Sequence, residues 1–244
     1  MTKILLIYVF ILQLLSSDFL GEQKRYPRVR EAIADKLDIV KNTFKEKDVE
    51  FPPKEIFLRA FKSEMILELW ARSTNVDTFC LIKTYSFCAS SGVPGPKRKQ
   101  GDLQIPEGFY YIDRFNAQSS FYLSLGLNYP NESDKLLSKN KNRGGDIFIH
   151  GDCVTIGCIP ITDPLIKEVY LCAIFTRNNG QNKIPVHIFP TIMTIENLKQ
   201  LNDRSDMRFK HFWDNLKSGY DNFEESHSLP RIIVDPATGK YIFN

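Results

Sequence analysis

Residues 149–163, IHGDCVTIGCIPITD, set His150 eight residues ahead of Cys158, with Gly151 after the histidine and Gly157 before the cysteine. A thiol attacks as the thiolate, and a neighbouring imidazole is the usual base that generates it and lowers its pKa. A glycine beside the nucleophile lets the backbone approach a substrate carbonyl closely. The segment therefore reads as a cysteine nucleophile, its base and an oxyanion-binding turn. Three other readings compete. His150 and Cys158 could be a buried imidazole and a packed thiol. His150, Asp152, Cys153 and Cys158 could ligate a metal, but no second Cys-x-x-Cys or His pair completes a familiar tetrahedral set. A Cys153–Cys158 disulfide would remove the nucleophile.

The elements that must position this segment are legible from periodicity. Val29, Ile33, Leu37, Val40 and Phe44 recur at helical spacing and predict a helix over 28–44, ended by Pro52-Pro53. Short apolar runs follow at 56–61, 65–70, 79–85, 109–113, 121–127 and 147–149, separated by turn residues. They predict an antiparallel sandwich or barrel whose last strand leads into His150. Asp163-Pro164 reads as N-cap and first residue of a helix running to about Arg177, before Asn178-Asn179-Gly180. A strand over 184–189 and an aromatic-striped helix over 209–223 come next, then a hairpin pairing 232–235 with 240–243. The aromatic stripe is a packing face, since helical spacing alone explains it. His187, on a strand between prolines, reads as structural.

Bulk properties restrict the function. Hydrophobic content of 43% and charged content of 25% are those of a globular domain. A net charge of +3, without a basic stripe, argues against nucleic acid as a partner. Lys3 precedes the apolar run Ile4–Leu12, extended by Leu14 and Leu15, with Ser16, Ser17 and polar sequence from Gly21 after it. That is the pattern of an export signal over residues 1–21; an uncleaved anchor is the alternative, and it would be the chain's sole membrane attachment. Five cysteines in an exported chain leave at least one thiol unpaired. If that thiol is Cys158, then Cys80, Cys88, Cys153 and Cys172 could form up to two disulfides. Cys80 and Cys172 lie in apolar runs and read as core residues.

Five stretches carry a family resemblance: FLRAFKSEMILELW (57–70), CASSGVPGPKRKQGDLQIPEGFYYIDRF (88–115), the segment that begins GDIFIHG at Gly145, IPVHIFP (184–190) and FWDNLKSGYDNF (212–223). Together they resemble L,D-transpeptidases with the YkuD-type catalytic domain, and within them the YafK-like branch. The resemblance implies an α+β, mostly β, catalytic sandwich or barrel with flanking helices. On it, 22–50 is an N-terminal helical extension, 51–192 the catalytic domain and 193–244 a C-terminal helical and hairpin extension. It further implies cysteine acyl transfer on peptidoglycan stem peptides in the periplasm, without a cofactor or metal. Cys158 would be the nucleophile, His150 the base, and the Gly151 carbonyl the group orienting the imidazole. The N–H groups of Gly157 and Cys158 would line the oxyanion hole. Thr155 keeps the hydroxyl position of the family's [ST]-H-G-C element, whereas Ile156 replaces its histidine. The spacing between histidine and cysteine is also shorter than in most members.

Lys97, Arg98 and Lys99, beside Thr155 as substrate contacts, form a basic loop that could hold stem-peptide carboxylates; a solvated turn is the plainer alternative. The expected function is thus an exported L,D-transpeptidase-type acyltransferase. Its rivals are a hydrolase releasing a peptide or a lipoprotein from peptidoglycan, and a wall-binding module with an inert thiol.

Overall fold

The computed structural model describes residues 18–204 and 207–244; the segment expected to act as export signal, 1–21, lies outside them apart from its end at 18–21. No helix among the described residues is long and apolar enough to cross a membrane.

The frame is a curled eight-stranded sheet. In chain order its strands are β1 (Glu55–Phe61), β2 (Ile66–Arg72), β3 (Cys80–Ser86), β4 (Gly108–Ser119), β5 (Tyr122–Leu127), β6 (Phe148–His150), β7 (Ile159–Pro160) and β8 (Pro185–Phe189). They lie in the order β3-β2-β1-β8-β4-β5-β6-β7. Most neighbours are antiparallel, as the alternating runs predict. Two pairs are parallel instead, β1 with β8 and β6 with β7. The β1–β8 pair joins strands more than a hundred residues apart, and the β6–β7 pair is linked by a loop whose residues carry no hairpin-turn signal, so hairpin patterns reveal neither.

Alternation on β1 shows how the sheet is covered. Ile56, Leu58 and Ala60 enter the main core. Phe61 enters a second cluster with Phe109, Phe189, Trp213 and Leu216, and Phe57 a third with Trp70, Phe79 and Phe223. The main core is closed by α2 (Pro27–Lys45) and α4 (Asp163–Asn178). Val29, Ala32, Val40 and Phe44 of α2 are buried there, the stripe that the spacing predicts. Lys167 of α4 ties the two helices by pairing with Glu31 at 2.7 Å and Asp35 at 2.6 Å. The opposite side is covered by α6 (Lys210–Ser226), whose Trp213, Leu216, Tyr220 and Phe223 are buried. Fully burying such a side chain contributes roughly 2–3 kcal/mol. The flanking helices thus share their cores with the sheet.

The remaining elements are short. The helix α1 (Phe19–Gln23) docks on the body, with Phe19 edge-on to Phe115 at 5.0 Å and Tyr170 Oη donating to Gln23 Oε1 at 2.7 Å. α3 (Glu132–Leu137) is opened by a capping box between Asn131 and Asp134. α5 (Ile195–Arg204) and a single 3-10 turn (Met207–Phe209) precede α6, and β9 (Ile232–Val234) pairs with β10 (Tyr241–Phe243). His187 is buried against Phe57 at 4.5 Å and Phe109 at 4.7 Å.

Candidate active site

The parallel pair β6–β7 brings the histidine and the cysteine together. Its register sets Ile149 beside Ile159 and His150 beside Pro160. One residue earlier, Cys158 falls beside Phe148, whose backbone N–H reaches its sulfur. Cys158, in the bend just before β7, therefore has its sulfur at the Phe148 end of β6, the strand that ends at His150. β5 contributes Ser124 opposite His150 and Gly126 opposite Phe148, while Leu125 and Ile149 point to the core. An eight-residue separation is thus folded back so that the cysteine begins one strand of a parallel pair and the histidine ends the other.

His150 is buried, with Phe121 packed on its ring at 4.7 Å. Its Nδ1 is hydrogen-bonded to the Gly151 carbonyl. A carbonyl only accepts, so the proton is on Nδ1 and Nε2 is left as the basic nitrogen. Burial pushes the imidazole pKa down, against the Gly151 bond and the Asp152 charge. Burial likewise pushes the Cys158 thiol up, opposed by the Phe148 N–H and the Lys97 charge. The His150–Cys158 spacing predicts a thiol whose pKa is lowered by the neighbouring imidazole. Burial shifts both groups the other way, favouring the neutral thiol and the neutral imidazole over the ion pair.

The turn before Cys158 also differs from expectation. The N–H groups of Gly157 and Cys158 do converge on one point, but Thr155 Oγ1 occupies it, accepting at 3.1 and 2.8 Å. Thr155 is therefore committed to the turn in the resting structure and is not a free substrate contact. Local side-chain bonding of this kind is what hydroxyl residues do in tight turns. Gly157 adopts φ +135°, and a Cβ there would lie 2.9 Å from the Gln104 carbonyl oxygen. Only glycine fits.

The rest of the loop is fixed from two sides. A disulfide joins Cys153 to Cys88, just beyond β3. Cys158, Cys80 and Cys172 are free thiols. That pairing rules out the Cys153–Cys158 bridge and takes Cys153 away from any metal set. Asp163 accepts the Asp152 N–H at 2.7 Å, and Thr162 takes the N-cap position of α4 expected of Asp163.

The basic loop divides. Lys97 is buried and donates to Asp102 at 2.6 Å. Arg98 pairs with Asp134 at 2.8 Å and lies over the Phe212 ring at 5.0 Å. Of the three, Lys99 alone is exposed. Lys97 and Arg98 are thus corrected from exposed carboxylate ligands to internal ion pairs.

Three residues that sequence reasoning passed over belong to the site: Asp146, whose carbonyl lies 3.6 Å from Cys158 Sγ, its partner Arg114, and Phe148. Asp146 and Phe148 lie in the quoted GDIFIHG stretch and Arg114 in the quoted 88–115 stretch, but only tertiary pairing brings Arg114 to Asp146. A cavity of about 880 Å³ lies elsewhere, between β4, β8 and the β9–β10 hairpin. No residue of the 149–163 segment lines it, so it is not where this chemistry would occur.

Comparison with known proteins places the chain in a family. Residues 60–174 match the YkuD model, the L,D-transpeptidase catalytic domain. The Escherichia coli (strain K12) protein named "Putative L,D-transpeptidase YafK" is 34% identical over 189 residues, covering 77% of this chain and 73% of that protein. Its counterpart in Escherichia coli O157:H7 matches equally. Among solved structures, the helical cell shape determining protein Pgp2 from Campylobacter jejuni is 18% identical with a TM-score of 0.44, covering 75% of this chain and 73% of that one. Bdellovibrio bacteriovorus Bd1075 is 18% identical with a TM-score of 0.43, covering 75% and 78%. With the sequence match spanning three-quarters of the chain and including the His150–Cys158 segment's strands, the chain belongs to the YkuD-type L,D-transpeptidase family.

Proposed function

We propose that the chain is an exported cysteine acyltransferase that acts on peptidoglycan stem peptides in the periplasm through a Cys158 thioester. The observation that carries this is the β6–β7 pairing, which sets a free thiol just before β7 alongside β6, the strand that ends at a singly bonded imidazole. His150 Nε2 takes the thiol proton as sulfur attacks the substrate carbonyl, and returns it to the leaving amine. Because burial favours the neutral form of both groups, proton transfer accompanies attack and is not completed beforehand. The developing oxyanion, a stronger acceptor than a hydroxyl, displaces Thr155 Oγ1 from the two converging N–H groups. Amine attack on the thioester completes transpeptidation, and water in its place completes hydrolysis.

The Cys88–Cys153 disulfide supports export, since such bonds persist in oxidising compartments. The test is mass spectrometry of purified peptidoglycan after incubation with the wild type and with Cys158→Ala. New cross-links or released peptides from the wild type alone are expected. Absence of product, together with no acyl adduct on Cys158, would sink the assignment and leave a wall-binding role.

A further inference from the structure

Asp146 stands in the thiol's immediate surroundings without a part in the steps above. Its backbone carbonyl is 3.6 Å from Cys158 Sγ, and its side chain is 83% exposed. The carboxylate is oriented, not loose: Oδ1 accepts from Arg114 Nη1 at 2.7 Å. Arg114 comes from β4 and reaches Asp146 by crossing β5 at Gly126. A Cβ at Gly126 would lie 2.9 Å from Arg114 Nε and 3.0 Å from the Phe148 ring. The missing side chain lets the guanidinium lie over Phe148 at 4.9 Å, where Asp113 also pairs with it at 3.0 Å. Two carboxylates against one guanidinium leave this edge of the site net negative. The result is a positioned carboxylate, open to solvent, on the residue whose backbone carbonyl touches the nucleophilic sulfur and whose charge acts on it.

We propose that Asp146 is the acceptor-selecting residue of this enzyme, binding a primary ammonium so that transfer to amines competes with hydrolysis. The inference rests on the thioester mechanism proposed above and deepens it by assigning the acceptor side. An exposed carboxylate concentrates a cationic acceptor beside the thioester, and Arg114 is the positioning residue that keeps it there. In the transfer step the ammonium first sheds one proton to solvent. Its nitrogen attacks the thioester carbonyl, the C–S bond breaks, and the nitrogen's second proton passes through His150 Nε2 to the Cys158 sulfur. Amide and free thiol result, with no oxidant or cofactor.

The experiment uses the full chain and a synthetic stem peptide as acyl donor. Intact mass first establishes whether the acyl adduct forms on Cys158. Partition of that adduct is then measured at pH 7.5 with 1,3-diaminopropane, which is cationic, and with methoxyamine, which is uncharged. Both acceptors draw on one adduct, so altered acylation rates cancel from the comparison. In Asp146→Asn, transfer to the diamine relative to methoxyamine should fall about fivefold, the size of one exposed charge contact. Asparagine tolerates the left-handed φ of 53° found here. Asp146→Gly, which tolerates it equally, provides a second variant and should show the same fall. An unchanged ratio in a variant that still forms the adduct overturns the proposal. Failure of the wild type to form any adduct would instead overturn the thioester mechanism.

Discussion

Thr155 and Cys158 are bonded to each other in both directions: the Thr155 hydroxyl oxygen accepts the Cys158 N–H at 2.8 Å and donates to the Cys158 carbonyl at 2.8 Å. The turn that carries the nucleophile is thus held by one side chain three residues upstream. With the Gly157 N–H, it keeps two donors aimed at one point.

Thr155→Val keeps the shape and removes every one of those bonds. Each is worth about 1 kcal/mol net. Melting temperature should fall, and kcat/KM should drop about tenfold because the two amides no longer stay convergent. Thr155→Ser should retain most of both. A faster Val variant would show that the hydroxyl acts only as a competitor of the oxyanion.

The bias toward neutral thiol and imidazole changes what His150→Ala should do. With burial lowering the imidazole and raising the thiol, the histidine carries little charge at neutral pH. Alkylation of Cys158 by iodoacetamide should therefore change by no more than about twofold in the variant. Acylation by a stem peptide needs the base in the transition state and should fall by about a hundredfold or more. Stopped-flow acylation beside alkylation rates separates the two. Loss of both to the same degree would restore a resting thiolate–imidazolium pair.

Much of this site could be read in the chain before it folded, and the missing parts share a cause. The HG…GC segment and the strand ending at His150 are local patterns, and local patterns survive in sequence. The reach of Arg114 to Asp146 over Gly126 and the bond from Cys88 to Cys153 depend on partners far apart in the chain, and the parallel pairing of β6 with β7, though local, leaves no turn signal in the sequence. The basic loop shows the opposite error. Lys97-Arg98-Lys99 looks like exposed charge, but Asp102 and Asp134 turn two of the three inward. Asp102 was close enough in sequence to suggest it, whereas Asp134 arrives from α3, which no periodicity announces.

That correction makes the three cations distinguishable. Lys97→Ala strands Asp102, whose side chain is 12% exposed, and should cost about 3 kcal/mol in chemical denaturation. It should also move the alkylation profile of Cys158 to higher pH, since the Lys97 charge favours the thiolate. Lys99→Ala should change stability by less than about 0.5 kcal/mol. Equal effects of the two substitutions would mean that Lys97 is exposed in solution.

His187 gives the fold a calculable acid sensitivity. Burial among aromatic rings, with the Arg59 charge nearby, holds its pKa down at about 3, against 6.5 for a free imidazole. The folded state therefore binds fewer protons than the unfolded state between those values. Its contribution to stability is complete above pH 6.5 and is lost as pH falls toward 3, with a slope of up to about 1.4 kcal/mol per pH unit. His187→Leu fills the same apolar site without a group to titrate. Denaturation midpoints across pH 4–7 should fall steeply in the wild type and less steeply in the variant. Parallel curves would mean that His187 is protonated in the folded protein, which its position between Phe57 and Phe109 does not accommodate.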